Sequence, residues 1–319
     1  MAEHVPAGRA AVIDIGSNTV HLLVAESDAG QLKPVRDATV RTALGVAVAA
    51  SGAAGTAGTA VVADAVKRLA AAARDDGAGE VLLLGTHAVR AATDRSALTA
   101  AVEAAAGALL RVLTPDQEAR LCLAGAALGA LPPPPFLLAD IGGGSCDLVI
   151  VDADGVQATA SVACGSGVLA SRYLASDPPP AEQVQAADGA VRDELAHVLV
   201  DRPHTFPAVV ATGGAARRLS RQAGEMAQTA DLLRVIDRVL HEPRARWPRP
   251  VSDRDRAAIT RAGAVILRAV VKYWHVPRWQ VSSHGLREGA LWYRARGWDL
   301  DTVPESPVSP TRLPGGTDR

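Results

Sequence analysis

Cysteine, lysine and aromatic residues are all scarce in this chain of 319 residues. The three cysteines, Cys122, Cys146 and Cys164, lie far apart in the sequence and form no CxxC or Cys/His cluster. A disulfide framework and a zinc site are therefore not expected, and a reducing, cytoplasmic environment fits the sequence. Only three lysines accompany the many arginines, a bias to which we attach little functional weight.

An excess of charge of one sign is also missing, and so are long apolar runs. The formal net charge is −1, whereas a general nucleic-acid binder is strongly basic. No apolar run approaches the length of a membrane span, and the first residues lack a basic region followed by a hydrophobic signal core. We therefore expect no nucleic-acid partner and no membrane association.

The length allows two domains of ordinary size, each with its own core. Four consecutive prolines at 132–135 form the clearest linker, because a proline run stays extended and cannot continue a helix. They place a first domain at 1–131 and a second at 132–300, with the last helix, at about 285–297, either in the second domain or packed back on the first. The residues at 301–319, rich in Pro, Ser, Thr and Gly, are expected to be disordered.

Two stretches of the chain share one layout. Apolar runs at 136–139 and 148–151 enclose the turn Asp140-Ile141-Gly142-Gly143-Gly144-Ser145. The same order of strand, Asp, Gly, small polar turn and strand occurs at 10–24, around Asp14-Ile15-Gly16-Ser17-Asn18-Thr19. Such a repeat predicts two like-built α/β halves, each containing a β-hairpin.

Each of these turns is a candidate phosphate site, although ordinary hairpins use the same residues. Glycine leaves bare backbone N–H groups that an anionic oxygen can reach. The candidate phosphate-binding residues are Gly16, Ser17, Asn18, Thr19, Gly142, Gly143, Gly144 and Ser145. A carboxylate beside a phosphate is repelled unless it holds a divalent cation or orients a water molecule. Asp14 and Asp140 are therefore candidate metal ligands.

The motifs DIGSNTVHLLV at 14–24 and DIGGGSCDLVI at 140–150 resemble the exopolyphosphatase and guanosine pentaphosphate phosphatase (Ppx/GppA) family. This family is a branch of the actin, sugar-kinase and Hsp70 ATPase superfamily, and the resemblance extends from about Ala10 to Arg296. It implies two actin-like, ribonuclease H-like α/β domains flanking a cleft, and a homodimer. It also implies Mg²⁺, with Mn²⁺ as an alternative, and release of orthophosphate from the end of inorganic polyphosphate, with short chains favoured.

The resemblance assigns two catalytic candidates. Residues 86–94 are similar to the family pattern Thr-Ser-Ala-x-Arg-x-Ala-x-Asn, in which Arg90 would bind phosphate oxygens; a surface salt bridge is the alternative. Glu118 matches the glutamate of a Glu-Ala-Arg element, the proposed base that activates the attacking water. Asp116 and Gln117 leave a one-residue ambiguity, and acidic residues in the first turn of a helix also complement its dipole without any catalytic role.

The second half supplies further candidates. Asp147 stands where the family commonly has Glu, and it is a third metal candidate. Thr212, Gly213 and Gly214 follow a predicted buried strand, at a strand-to-helix turn that favours anions. The stretch 217–261 holds eleven arginines against six acidic residues, which indicates either a groove for a long anionic substrate or a solvated helix face.

Two further elements complete the sequence expectations. Ser252 is predicted to cap a long helix that ends near residue 271. Gly-Leu-Arg-Glu-Gly at 285–289 resembles a family signature and is expected to fix a strand-to-helix turn and a domain contact.

Other functions remain open at this point. A phosphatase acting on guanosine pentaphosphate (pppGpp) would share the turns, the metal and the base. A sugar kinase or actin-like ATPase would also use two phosphate turns, but no acceptor-binding motif is evident. A sensor that binds polyphosphate or a nucleotide without turnover is suggested by departures from the family pattern at Asp94, Gln117 and Asp147.

Overall fold

The structure is a computed structural model that describes residues 8–28, 31–199, 205–223 and 226–297. The predicted disordered tail at 301–319 lies outside the described residues. The chain divides into two compact units: residues up to Gly125 form the first together with those from His284, and Ala126–Ser283 form the second.

The first unit contains a five-stranded mixed sheet in the order β3-β2-β1-β4-β5. Its strands are β1 (Gly8–Ile15), β2 (Thr19–Asp28), β3 (Gln31–Arg41), β4 (Glu80–Gly85) and β5 (Leu110–Val112). Its helices up to this point are α1 (Leu44–Ser51), α2 (Gly55–Asp75), α3 (His87–Ala91), α4 (Arg95–Ala106) and α5 (Pro115–Ala126). Strands β1, β2 and β3 are antiparallel, whereas β1, β4 and β5 are parallel.

The second unit contains a six-stranded sheet in the order β10-β11-β9-β6-β7-β8. Its strands are β6 (Phe136–Ile141), β7 (Cys146–Asp152), β8 (Gly155–Val162), β9 (Ala208–Thr212), β10 (Met226–Gln228) and β11 (Arg278–Val281). Its helices are α6 (Ser166–Tyr173), α7 (Ala181–Leu195), α8 (Gly214–Ala223), α9 (Thr229–His241) and α10 (Arg254–Tyr273), with a 3₁₀ turn at Arg244–Arg246.

The internal repeat predicted from the two turns is confirmed by the topology. In each unit the first strand is followed on one side by two antiparallel strands and on the other side by two parallel strands; the second unit adds the antiparallel β10 at the outer edge. Both predicted hairpins form, as β1–β2 and β6–β7. The strands are rich in Val, Ile, Leu and Ala, and each sheet packs its apolar side chains against helices in a core of its own.

The last helix, α11 (Leu286–Ala295), packs on the first sheet, where it contacts β1, β2 and β3. The second unit therefore ends at Ser283 rather than at residue 300, in line with the alternative that the last helix packs back on the first domain. The other boundary falls after Gly125 rather than at the proline run. A proline run marks where a helix cannot continue, but the packing of α11 decides to which unit that helix belongs.

Several element boundaries also differ from the sequence expectations. Asp253, not Ser252, caps α10: its carboxylate accepts hydrogen bonds from the backbone amides of Asp255 at 2.9 Å and Arg256 at 3.1 Å. Helices α1 and α9 were not predicted. Among the described helices, none is both long enough and apolar enough to cross a lipid bilayer.

Candidate functional site

The Gly-rich turn of the second unit is held by the start of α6. Its three glycine carbonyls accept backbone hydrogen bonds from the amides that begin this helix. The bonds run from Ser166 N to Gly142 O at 2.9 Å, from Gly167 N to Gly143 O at 2.9 Å and from Gly165 N to Gly144 O at 3.1 Å. Neither the Gly143 amide nor the Gly144 amide donates to a backbone carbonyl in the described part of the chain, and such amides are the donors that a phosphate oxygen needs.

Gly165 allows this support because it lies directly against the turn. A Cβ atom at this position would lie 2.3 Å from the carbonyl carbon of Gly143. Only a residue without a side chain fits such a distance. The small-residue run 164–167 therefore allows the backbone at the start of α6 to lie in direct contact with the candidate phosphate turn.

Three polar residues stand side by side at the ends of neighbouring strands in the second unit. Asp140 on β6 is paired with Asp147 on β7 and with Thr212 on β9. Asp147 is only 1% exposed, and the Ser145 hydroxyl donates to its Oδ2 at 3.4 Å. This unit thus brings together all the site residues predicted in the second half.

Gly213 fixes how the turn after β9 meets Asp140. Its φ is +93°, and a Cβ there would lie 2.4 Å from the Ile141 carbonyl oxygen and 3.1 Å from Asp140 Oδ1. A side chain would therefore be strained and would also collide with the strand that carries Asp140. The Thr212–Gly214 segment consequently lies against the carboxylate.

The carboxylate pair fits Mg²⁺ better than a metal held by protein ligands alone. Among the described residues, no group of three or more His, Cys, Asp or Glu side chains is placed to hold a metal ion. Mg²⁺ usually takes one or two carboxylates and completes its shell with water and phosphate oxygens. Asp140 and Asp147 suit that pattern, with the more accessible Asp140 as the better direct ligand. Asp14, the third metal candidate, belongs to the other unit.

The corresponding turn of the first unit is supported in a similar way. Asn18 O accepts hydrogen bonds from the amides of Thr42 and Ala43, and Ser17 O accepts one from Gly45 N at 2.7 Å. The amides around the start of α1 therefore hold the carbonyls of this turn, as the amides at the start of α6 do in the second unit. Asp14 lies on β1 next to this turn, where it is paired with a residue of β2 and a residue of β4.

Arg90 and Glu118 form an ion pair within the first unit. Arg90 Nη1 donates to Glu118 Oε2 at 3.1 Å and to the Leu113 carbonyl at 2.5 Å. Glu118 is 6% exposed, so this pair is not the surface salt bridge that the sequence also allowed. A guanidinium has five N–H donors, so Arg90 keeps donors for a phosphate oxygen while it holds the carboxylate.

The structure separates the three neighbouring candidates at the start of α5. Asp116 accepts a hydrogen bond from Arg120 Nε at 2.7 Å, one helical turn further on. Gln117 forms a capping box with Thr114: the Thr114 amide donates to Gln117 Oε1 at 2.9 Å, and the Gln117 amide donates to Thr114 Oγ1 at 3.2 Å. The hydrogen bond to Arg90 is made by Glu118, whereas Gln117 caps the helix locally.

Asp94 also has a structural task. Its two carboxylate oxygens accept hydrogen bonds from the backbone amides of Ala54 and Gly55, each at 2.8 Å, at the start of α2. An asparagine, which the family usually has here, offers only one oxygen. Asp94, which departs from the family pattern, therefore caps α2, a helix about 40 residues earlier in the chain.

We expect Asp94→Asn to lower the melting temperature at pH 7 and to lose this effect in acid. The hydrogen bonds from Ala54 and Gly55 lower the pKa of Asp94. The stabilisation is therefore fully present above the pKa of Asp94 in the unfolded chain, about 4. It is lost as the pH falls through the lower pKa that Asp94 has in the folded protein. Melting curves of wild type and variant between pH 7 and about 3 test this.

Asp64→Asn is the matched control, because Asp64 lies on α2 and contacts only the exposed Arg68 among the ion pairs described. We expect it to change the melting temperature little at either pH. A gap between wild type and Asp94→Asn that stays constant from pH 7 to acid would contradict the capping role.

The Gly-Leu-Arg-Glu-Gly signature fixes the start of α11. Glu288 Oε2 accepts a hydrogen bond from the Gly285 amide at 2.8 Å. Arg287 pairs with Asp37 at 2.9 Å and donates to the Leu22 carbonyl at 3.3 Å. These bonds tie the turn before α11 and its first residues to the sheet of the first unit.

These features define a class of protein. The chain has two α/β units with similar strand order, and each has an Asp at the end of its first strand. In each unit a turn of small residues follows, and its carbonyls accept hydrogen bonds from the start of a helix. This is the architecture of actin-like proteins that bind phosphate groups. The model of the Ppx/GppA phosphatase family matches residues 23–295, and the chain belongs to this family of hydrolases.

Known relatives cover nearly the whole chain. Exopolyphosphatase 2 of Mycobacterium tuberculosis is 30% identical over 315 residues, with 88% of this chain and 97% of the relative covered. The crystal structure of the Aquifex aeolicus member of the Ppx/GppA family has a TM-score of 0.74 at 25% identity, covering 91% of this chain and 98% of that one. An exopolyphosphatase structure from Cytophaga hutchinsonii has a TM-score of 0.81 at 20% identity, covering 92% and 99%. The predicted fold class is thus confirmed.

Proposed function

We propose that this protein is an exopolyphosphatase that hydrolyses the terminal phosphoanhydride of inorganic polyphosphate and releases orthophosphate, with short chains favoured. The observation that carries the proposal is the partly buried ion pair between Arg90 and Glu118, which places a guanidinium suited to phosphate oxygens beside a carboxylate suited to take a proton from water. The relative from Mycobacterium tuberculosis, which is named exopolyphosphatase 2 and matches over almost its full length, supports the same reaction.

The two phosphate turns and the two catalytic candidates have separate roles in this proposal. The amides of Gly143 and Gly144 in the second unit, and those of Ser17 and Asn18 in the first, would hold nonbridging phosphate oxygens. The amides of Gly142 and Gly16 already donate to the Asp140 carbonyl at 3.2 Å and to the Thr19 carbonyl at 3.0 Å. Arg90 offsets negative charge on the transferred phosphoryl group. Glu118 takes a proton from the water that attacks in line with the leaving oxygen.

We propose Mg²⁺ as the cofactor, with Mn²⁺ as an alternative. Asp140 and Asp147 would hold it in the second unit, and Asp14 is kept as a candidate ligand in the first. When bound, the ion would neutralise charge on the phosphate oxygens. The homodimer and the cytoplasmic location stay predictions.

The proposal is tested by orthophosphate release from purified protein with Mg²⁺ or Mn²⁺. Short-chain polyphosphate, long-chain polyphosphate and pppGpp are compared side by side, with ATP as the control. We expect release from polyphosphate, fastest for short chains, and little from ATP. Release from pppGpp alone would assign the protein to alarmone turnover, and tight binding of polyphosphate without release would assign it a sensor role.

A further inference from the structure

Arg218, on α8, lies beside the candidate site of the second unit. It follows Gly214, the first residue of this helix, by four positions, so both lie on one helical face. A Cβ atom at Gly214 would lie 3.6 Å from Nη1 and from Nη2 of Arg218. The guanidinium is therefore folded back over the helix N-terminus, next to the Thr212–Gly214 turn.

This is an unfavourable place for a cation. The start of a helix carries a partial positive charge, and Arg218 adds a full one. Its Nε atom is buried, and no group in the described parts of the chain accepts a hydrogen bond from it. Burial, together with the neighbouring charges of Arg217, Arg256 and Arg221, lowers the pKa of Arg218 to about 10.

The carboxylate that favours the charged form of Arg218 already has other partners. Among the described residues, Asp253 is the carboxylate that opposes the fall in the pKa of Arg218, and its effect is the smallest of those acting on it. The same carboxylate caps α10 through two backbone amides and lies 3.6 Å from Arg256 Nε. Arg218 is thus left in positive surroundings that a bound anion would balance.

A phosphoryl group suits this place. A guanidinium can donate two parallel hydrogen bonds to phosphate oxygens, and a helix N-terminus adds backbone donors. The turn that ends at Gly214 reaches the Asp140 carboxylate through Gly213, where a Cβ would lie 3.1 Å from Oδ1. An anion bound at Arg218 therefore lies along the same edge of the sheet as the predicted phosphate turn.

We propose that Arg218 and the N-terminal end of α8 form a subsite that binds a phosphoryl group of a free polyphosphate chain. This inference rests on the proposed function, since it deepens the description of the same substrate. The sequence alone suggested a general arginine-rich groove in 217–261, whereas this proposal assigns phosphoryl binding to one specific arginine. Arg221 and Arg256, which are exposed, are solvated neighbours of the subsite.

The test is calorimetric titration with tripolyphosphate, in buffer containing EDTA so that no hydrolysis accompanies binding. Arg218→Gln should raise the dissociation constant roughly 10- to 100-fold, the effect of losing a charge-assisted hydrogen bond. Arg221→Gln removes the same charge from an exposed position of the same helix and should raise it less than about threefold. Arg218→Lys, which keeps the charge but loses the planar fork, should give an intermediate value.

Equal effects of Arg218→Gln and Arg221→Gln, or no binding by the wild type, would overturn the proposal. A second readout is the melting temperature without ligand: Arg218→Gln should leave it unchanged or raise it. A lower melting temperature with unchanged tripolyphosphate binding would make Arg218 a structural residue and overturn the subsite.

Guanosine triphosphate distinguishes the source of the phosphoryl group. If Arg218→Gln weakens binding of this nucleotide alone, the subsite serves a nucleotide and the assignment to a free chain is wrong. If tripolyphosphate binds through Arg218 but no orthophosphate is released when Mg²⁺ is supplied, the proposed function fails while the subsite stands.

Discussion

Glu118→Gln is expected to lower the rate of orthophosphate release from polyphosphate by about a hundredfold to ten-thousandfold, the usual contribution of a positioned general base. Gln has nearly the shape of Glu, and its amide oxygen can still accept the hydrogen bond from Arg90 that the structure shows at 3.1 Å. What the variant loses is the ability to take a proton from water. Tripolyphosphate affinity should therefore change little, and the loss should be seen in kcat.

Asp116→Asn is the matched control for this variant. Asp116 lies two residues earlier on α5, where it is 41% exposed and pairs with Arg120. We expect its removal to change the rate by less than about threefold. A full rate for Glu118→Gln, with the loss appearing in Asp116→Asn instead, would move the base to Asp116.

Gly289→Ala is expected to lower the free energy of unfolding by about 3 kcal/mol or more, beyond the ordinary cost of overpacking a core. A Cβ at Gly289 would lie 1.9 Å from the Leu121 carbonyl oxygen and 3.0 Å from the Gly125 amide nitrogen. The contact is reciprocal, since a Cβ at Gly125 would lie 1.9 Å from the Gly285 carbonyl oxygen. Because both partners are backbone, no side-chain rotation relieves the collision.

Urea unfolding of the variant, followed by circular dichroism, measures this effect. Gly58→Ala is the matched control, because Gly58 lies in α2 of the same unit and a Cβ there meets no atom within 4 Å. That substitution should raise stability by about 0.5–1 kcal/mol, since alanine is the better helix former. A Gly289→Ala protein as stable as the wild type would show that α5 and α11 do not touch backbone to backbone.

The close contact also explains the family signature in physical terms. Gly289 lets α11 approach the helix that carries Glu118, so the signature acts on the site through packing. The glycine spacing is visible in the sequence. Its purpose is not, because the partner backbone lies more than 160 residues away in the chain.

The features that follow from local sequence were predictable. Each of the two hairpins, and hence each copy of the repeat, depends on residues within a few positions of one another, and both copies are present. Helix α1 was missed because its Leu-Gly-Val-Ala-Val-Ala-Ala-Ser sequence has no polar face to give a helical period. The neighbouring cap formers Ser252 and Asp253 could not be separated by pattern alone.

The features that depend on distant contacts were not predictable. Asp94 reads as a departure from the family pattern until its hydrogen bonds to the start of α2 are seen. Arg218 is one of many arginines in the sequence, and only the positions of Gly214 and of the start of α10 distinguish it. The roles of the site residues in turnover stay predictions.

The most direct test of the proposed activity is ³¹P NMR of tripolyphosphate incubated with the wild-type protein and Mg²⁺, with no phosphoryl acceptor present. Hydrolysis of the terminal anhydride predicts that orthophosphate and pyrophosphate appear initially in equal amounts. An unchanged tripolyphosphate spectrum with both Mg²⁺ and Mn²⁺ would contradict the assignment of this protein as an exopolyphosphatase.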